Sequence, residues 1–546
     1  MNPWALIGLL CAAAPAVEVA LRSPVPGATA AMPCRFGVVL PPGWAAETRD
    51  IRAAEGDAGR PIAVDWTPVA RWPGGTLRWV RGRASLEFRS GQARRLLLRP
   101  EPGGVARDGT SGGRLVLRTD DRFHEIREEE GSRPAARSLR ACLGGGPLLW
   151  ELRGGGLTWF AAGAGPELAW RREDGGRIAG TLEDVRPEGA SSGCSIGLTA
   201  RGAAGNGGLF RTRAEVWSGS FLLELEAAIE SWPLEATAVG WEFGWPAPLT
   251  ELAFRSARTR RISRRKCGQM RLVVAEGGAA ELSADGRALG GDGPEATTLG
   301  LGFGSAWVVL DLGDAAVRGG VEVRAERGGV SVVLRQNVES FKADRRLTLR
   351  VVFGFANGPP PAALWNAVRA AGGYGGGVAV LRADAVDRWG GLGTWRAAAA
   401  SAAAEDAIRE SVALAVAEMG RPESMGADDF GDYRLPTLGW ANAEYDAIRV
   451  LAQCHFRTQD PELLAWTRRA VRHHLDVDLD FKHTGLPRVH GTDHDGGHEL
   501  GHTWIRGLLA HALLRGDAAA LEAARGIARG IVSWVEGTRG ALRLER

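Results

Sequence analysis

Between residues 17 and 356 apolar and polar positions alternate in short runs such as "RLLLRP", "GRLVLRT", "RTRAEVW", "FLLELEAAIE" and "RLTLRVVFGF", each bounded by Gly, Pro or Asp. A period of two places successive side chains on opposite faces of a strand, so the pattern predicts antiparallel sheets with one face buried and one wet. The alternation is interrupted at "ARDGTSGG" and "HEIREEEGSRP". We therefore expect a small N-terminal β-barrel over 17–115 and a central antiparallel β-sandwich over 116–356. The stretch "ANGPPPAALWNAVRAAGGYGGG" carries three successive prolines and two glycine clusters, and reads as a linker over 357–388. From 389 to 546 the apolar residues recur at helical spacing, as in "AAEDAIRESVALAVAEMG", "PELLAWTRRAVRHHLDV" and "HTWIRGLLAHALLRGD". Helices of this length joined by short loops build bundles or α/α toroids. Some five to seven helices fit, so an incomplete, truncated toroid is expected.

Composition narrows the function classes. A chain of 546 residues predicts several domains. A net charge of +3 argues against a nucleic-acid partner. No internal stretch reaches the roughly 20 apolar residues of a membrane span. The opening "MNPWALIGLLCAAAPA" has an apolar run ending in small residues, which predicts a signal peptide over 1–16 and a secreted or periplasmic protein. Six cysteines without a CxxC pair do not form a disulfide framework. Twenty tryptophans against three tyrosines fit a glycan-handling protein as well as apolar cores, because an indole face stacks on the C–H face of a sugar ring.

Several stretches, in this order, resemble one family. They are "MPCRFGVVLPPGW", "VARWPGGTLRWVRG", "GDYRLPTLGWANAEYD", "RHHLDVDLDFKHTG" and "RVHGTDHDGGHELGHTWIRGLLAHALLRGD". Together they resemble the exo-rhamnogalacturonan lyase (YetA-like) family, with Val39, Gly74 and Thr76 departing from its pattern. The resemblance implies barrel, sandwich and toroid in that order. It also implies a secreted polysaccharide lyase that cleaves an acidic, uronate-containing pectin by β-elimination and requires no cofactor. A base would take the C5 proton while a cation or amide neutralises the neighbouring carboxylate.

Nine of the ten histidines lie between His455 and His511, so the chemistry is sought there. Within "RVHGTDHDGGHELGHTW", "HELGH" has the spelling of a zinc-peptidase motif, which makes His498 and His502 candidate ligands and Glu499 the base. Gly491, Gly496 and Gly497 favour a loop over one continuous helix. The longer metzincin pattern fails at Ile505 and Leu508, although Glu522 has the spacing of a third ligand. We expect His490 and His494 to transfer protons and Arg488 to grip a carboxylate. His502 and Trp504 would line the cleft. Asp493 with His490, His494 and His498 offers a site for a divalent cation. In "GDYRLPTLGWANAEYD", Asn442 and Tyr445 share a helix face; Tyr445 is a candidate acid or base, and Asn442 and Tyr433 are candidate substrate contacts. "HHLDVDLD" brings Asp476, Asp478 and Asp480 to alternate positions. Calcium is possible there, although the loop glycine is missing; paired carboxylates also suit glycoside hydrolysis. A glycoside hydrolase or a non-catalytic glycan binder are thus the alternatives, with a zinc peptidase last. Oligomeric state is left open.

Overall fold

The computed structural model describes residues 16–101, 114–380 and 446–544 with short internal gaps, including 489–496, and isolated pieces of 381–445. The protein is mostly β-sheet with a C-terminal helical part. At the N-terminus, β1 (Thr29–Val39) pairs with β2 (Leu77–Phe88), which also pairs with Asp65–Arg71. A second, five-stranded sheet contains Val17–Arg22 and Arg94–Pro100. Phe36, Val38, Leu21 and Leu96 from the two sheets share one core. The expected closed barrel is instead a pair of open sheets among the described residues. Closure needs continuous staggered pairing around the circuit, whereas the edge beside Val17–Arg22 is filled by Val378–Val380, a strand from far down the chain that local alternation cannot anticipate.

A six-stranded sheet that begins at Arg114–Thr119 comes next along the chain, with ten-stranded and eight-stranded antiparallel sheets beyond it. Their apolar faces meet in a single core, with Trp170, Trp241 and Val332 from one and Leu198, Leu225 and Phe353 from the other. Three adjacent strands of the larger sheet carry charge on its outer face: β3 (Gly208–Trp217), β4 (Leu222–Ser231) and β5 (Leu347–Asn357). On β4, Leu223 and Leu225 enter the core, and Glu224 and Glu226 face the other way.

That outer face, expected to be wet, is covered by the N-terminal sheets and the helices. Glu215 of β3 and Glu224 of β4 are directly opposite across the ladder and only 1% and 5% exposed. Like charges so placed repel. Arg35 of β1 bridges them, with Nη2 at 2.7 Å from Glu215 and 2.6 Å from Glu224. Arg83 and Arg213 add ion pairs to Glu215 at 3.3 and 3.0 Å, and Arg350 adds one to Glu224 at 3.0 Å. Burial alone would raise the Glu215 pKa; Arg213, Arg35 and Arg83 outweigh it and hold the carboxyl far below its ordinary range.

The segment read as a linker contains α1 (Ala362–Tyr374), whose Leu364, Trp365 and Val368 are buried. Its trailing glycines serve close packing: a Cβ on Gly376 would lie 1.7 Å from the Pro33 carbonyl oxygen, and its φ of 98° suits glycine. Further on are α2 (Ala447–Thr458), α3 (Pro461–His473), α4 (Arg506–Arg515) and α5 (Ala518–Leu544). The start of α3 is specified by Asp460, which accepts from Glu462 N at 2.9 Å, and by Pro461 in the first turn. Leu451, Leu463, Val471, Leu508 and Ile527 give these helices their own core. Helix α4 docks on β1 at Gly37, where a Cβ would lie 1.4 Å from the Leu513 carbonyl oxygen.

Two outcomes are expected. Glu215→Ala takes the ion pair of Arg83 and one of the two held by each of Arg35 and Arg213, and should lower urea-unfolding stability by about 3 to 5 kcal/mol. Because Glu215 and Glu224 are both depressed below 4.5 in the fold, their stabilisation is complete above that pH and is lost as pH falls below it. A denaturation midpoint that stays flat from pH 6 to pH 3 would contradict this.

Candidate functional site

The end of α3 widens into a π-helical turn, His474–Asp478, followed by Leu479 and Asp480. Insertions of this kind re-aim side chains, and here three alternate aspartates acquire three different environments. Asp476 is fully buried against β5: it accepts from Thr348 N at 3.1 Å and Thr348 Oγ1 at 2.8 Å and pairs with Arg346 at 3.3 Å. Asp478, also fully buried, faces His474 Nδ1 at 2.8 Å and His473 Nε2 at 3.2 Å. These two carboxylates are engaged internally, so neither the calcium loop nor a hydrolytic pair built from them is formed.

Asp480, 5% exposed, lies closer to the surface than either. A tight turn returns the chain beside it: Asp480 N donates to Leu486 O at 3.1 Å, Gly485 N donates to Asp480 O at 2.8 Å, and Gly485 takes a φ of 67°. The turn sets His483 Nδ1 at 2.9 Å from one carboxylate oxygen, and His498 Nε2 and Arg488 Nη2 at 3.5 and 3.9 Å from the other. His498 Nδ1 donates to Pro487 O at 3.0 Å, and its Nε2 lies 3.1 Å from Thr484 Oγ1. Burial pushes the Asp480 pKa up, but the His483 hydrogen bond and the Arg488 charge outweigh it and hold the carboxyl below its ordinary value. Asp480 is therefore ionised at neutral pH. Over this cluster stands Trp534 of α5, edge-on to His498 with ring centroids 6.4 Å apart. Trp534 and Trp504 are both more than a third exposed.

Of the sequence-derived candidates, Arg488 and His498 meet at Asp480. His502 sits in a single 3-10 turn, Leu500–His502, and Trp504 follows it at the surface. Tyr433 belongs to a two-stranded hairpin, Tyr433–Leu435 with Gly439–Ala441. Asn442, Tyr445, His490, Asp493 and His494 lie outside the described residues. The neighbouring Asp446 joins two helix starts, accepting from Gly507 N at 3.2 Å and Arg449 N at 3.3 Å. Sequence reasoning missed His483, Thr484 and Trp534. The turn glycine Gly485, one residue after Thr484, was the available signal for the first two; nothing local marks Trp534, which comes from a later helix.

The zinc-peptidase reading of "HELGH", ranked last from the sequence, lacks its helix among the described residues. Residues 497–499 are not helical and the 3-10 turn is only three residues long, so His498 and His502 are not stacked one helical turn apart. His498 is held by Pro487, Thr484 and Asp480, and Glu522 pairs with Arg525 at 2.6 Å. Among the described residues no group of three or more His, Cys, Asp or Glu is placed to hold a metal ion, and no helix is long and apolar enough to cross a membrane.

No family model matches the chain and no curated protein is similar to it. Among solved structures, it is similar to a protein of glycosyl hydrolase family 38 from Enterococcus faecalis, at 9% identity and a TM-score of 0.37, covering 63% of this chain and 45% of that one. It is also similar to an alpha-mannosidase from Enterococcus faecalis V583, at 10% identity and a TM-score of 0.34, covering 63% of this chain and 43% of that one. The chain thus spans less than half the length of either, and similarity at this level transfers no activity. Neither of these proteins is described as a lyase and no family model matches, so the expected resemblance to exo-rhamnogalacturonan lyases finds no support, and β-elimination of a rhamnogalacturonan or pectin is not carried further. A physical reason lies in the motifs themselves. Phe36 and Trp79 are core residues and Gly37 is a helix contact; such residues mark packing, which unrelated chemistries share.

The three aspartates should separate on substitution. Asp478→Ala strands two buried imidazoles and should cost about 3 kcal/mol in urea unfolding, whereas isosteric Asp480→Asn at the rim should cost about 1 kcal/mol. Equal losses would remove the distinction between the structural and the rim carboxylate.

Proposed function

We propose that the chain is a glycan-processing enzyme that hydrolyses glycosidic bonds at the rim around Asp480. The observation that carries this reading is an ionised carboxylate contacted by His483 and His498, with the partly exposed Trp534 against His498. An indole stacks on the C–H face of a sugar. Asp480 takes a proton from the water that attacks the anomeric carbon, and a proton delivered to the departing glycosidic oxygen completes the hydrolysis. Arg488 and His502 extend the polar rim along the bound chain, and an acidic polysaccharide is the partner we assign to it. A divalent cation such as calcium is optional. We also read the chain as exported after loss of residues 1–16 and as divided into 17–115, 116–356 and 389–546.

The test is release of new reducing ends from a panel of neutral and acidic polysaccharides. Asp480→Asn should lower kcat about 10² to 10⁴-fold with the fold intact, while Trp534→Ala should raise KM with a smaller effect on kcat. Binding without new reducing ends sinks the hydrolase and leaves a glycan binder.

A further inference from the structure

A cavity of about 350 Å³ lies at the seam of β1, β2, the outer face of β3 to β5 and helices α3 to α5, lined by nine arginines and five carboxylates. Most of the positive charge is answered within the protein. Glu215 and Glu224 engage Arg35, Arg83, Arg213 and Arg350, and Glu226 takes Arg472 at 3.3 Å. Asp517 is occupied by His511 Nε2 at 3.3 Å and by capping α5 through Ala519 N at 2.9 Å and Ala520 N at 3.1 Å. Glu522 is turned to Arg525.

Two of the guanidiniums facing the cavity, those of Arg81 and Arg515, make no direct ion pair among the described residues; Glu188 and Glu215 act on the first, and Asp517 on the second, only at longer range. Arg81 of β2 has no hydrogen bond or ion pair among the described residues, and its Nε is sealed from solvent without a partner. Its stem is held by packing on Gly516, where a Cβ would lie 2.7 Å from Arg81 Cγ. Arg515, buried at the end of α4, donates to carbonyl oxygens, of Tyr374 at 3.0 Å and Gly377 at 3.4 Å. Burial, together with Arg83 and Arg213, brings the Arg81 pKa down to about 10; burial, with Arg35, does the same to Arg515. Both remain cations at neutral pH. A buried charge without a direct ion-pair partner is costly.

We propose that this cavity binds a small dianion, a phosphate or sulfate group carried on a ligand of about sugar size, gripped by Arg81 and Arg515. Nine arginines against five lining carboxylates and the neighbouring Glu215 leave an excess of positive charge suited to a doubly charged group, and planar guanidinium forks engage the several oxygens of a tetrahedral oxyanion better than the two of a carboxylate. The volume falls at the small end of the roughly 300 to 1,000 Å³ typical of small-molecule sites. None of its lining residues belongs to the Asp480 cluster, so the inference stands apart from the hydrolase reading.

The full chain is titrated with inorganic phosphate, sulfate, acetate and chloride at matched ionic strength, following unfolding temperature and calorimetric binding. Phosphate or sulfate should bind and raise Tm beyond acetate and chloride, and the preference between the two names the ester. Arg81→Gln removes a cation bonded to nothing in the fold. It should leave the ligand-free Tm unchanged or raised while weakening phosphate or sulfate binding at least tenfold; Arg515→Gln should weaken it too. All four anions acting alike, acetate acting alone, or unchanged affinity in Arg81→Gln overturns the proposal.

Discussion

Two glutamates that face each other across neighbouring strands set the main constraint on this molecule. Glu215 and Glu224 are a like-charged pair on a face that the rest of the chain buries. Arg213 and Arg350 of the same sheet each answer one of them, and Arg35 arrives from the N-terminal sheet to bridge both, with its guanidinium also 4.8 Å over the Trp217 ring. The same cluster reaches α1 and α3, because Arg350 and Arg468 both donate to the Gly372 carbonyl, at 3.3 and 3.0 Å. Sheets and helices are thus tied through one set of charges. Such a network is costly to assemble and costlier to break in part, which favours one relative placement of the pieces over its alternatives.

The Asp480 rim depends on that placement. Asp476, four residues upstream, is tied to Thr348 and Arg346 at the start of β5, and this contact fixes the π turn from which Asp478 and Asp480 project. The helical part thereby receives its registration from the sandwich at one end and from Gly37 of β1, against Leu513, at the other. A carboxylate held between such anchors keeps its orientation without spending binding energy on ordering, as a reactive group requires.

Strand and helix regions were legible from periodicity because burial on one face leaves a period of two or 3.6. The destination of the other face was not. "FLLELEAAIE" alternates in the same way whether Glu224 meets water or Arg35, so a buried ionic seam read as a wet surface. The glycines of "AAGGYGGG" read as flexibility for a similar reason: composition cannot distinguish a missing side chain that loosens a chain from one that lets Pro33 approach. In the site, Arg488 and His498 were found by residue type. Asp480 was seen among three equivalent aspartates, and only the π turn sorts them into two structural groups and one at the rim. Trp534 comes from a helix 36 residues after His498, a tertiary contact that no local pattern carries.

Arg35 acting on Glu224 across two sheets is what holds the seam, and a double-mutant cycle measures this coupling directly. Arg35→Ala, Glu224→Ala and the double variant would be unfolded in urea at neutral pH. A coupling of more than about 1.5 kcal/mol between the two sites is expected; losses that add to within about 0.5 kcal/mol would contradict it.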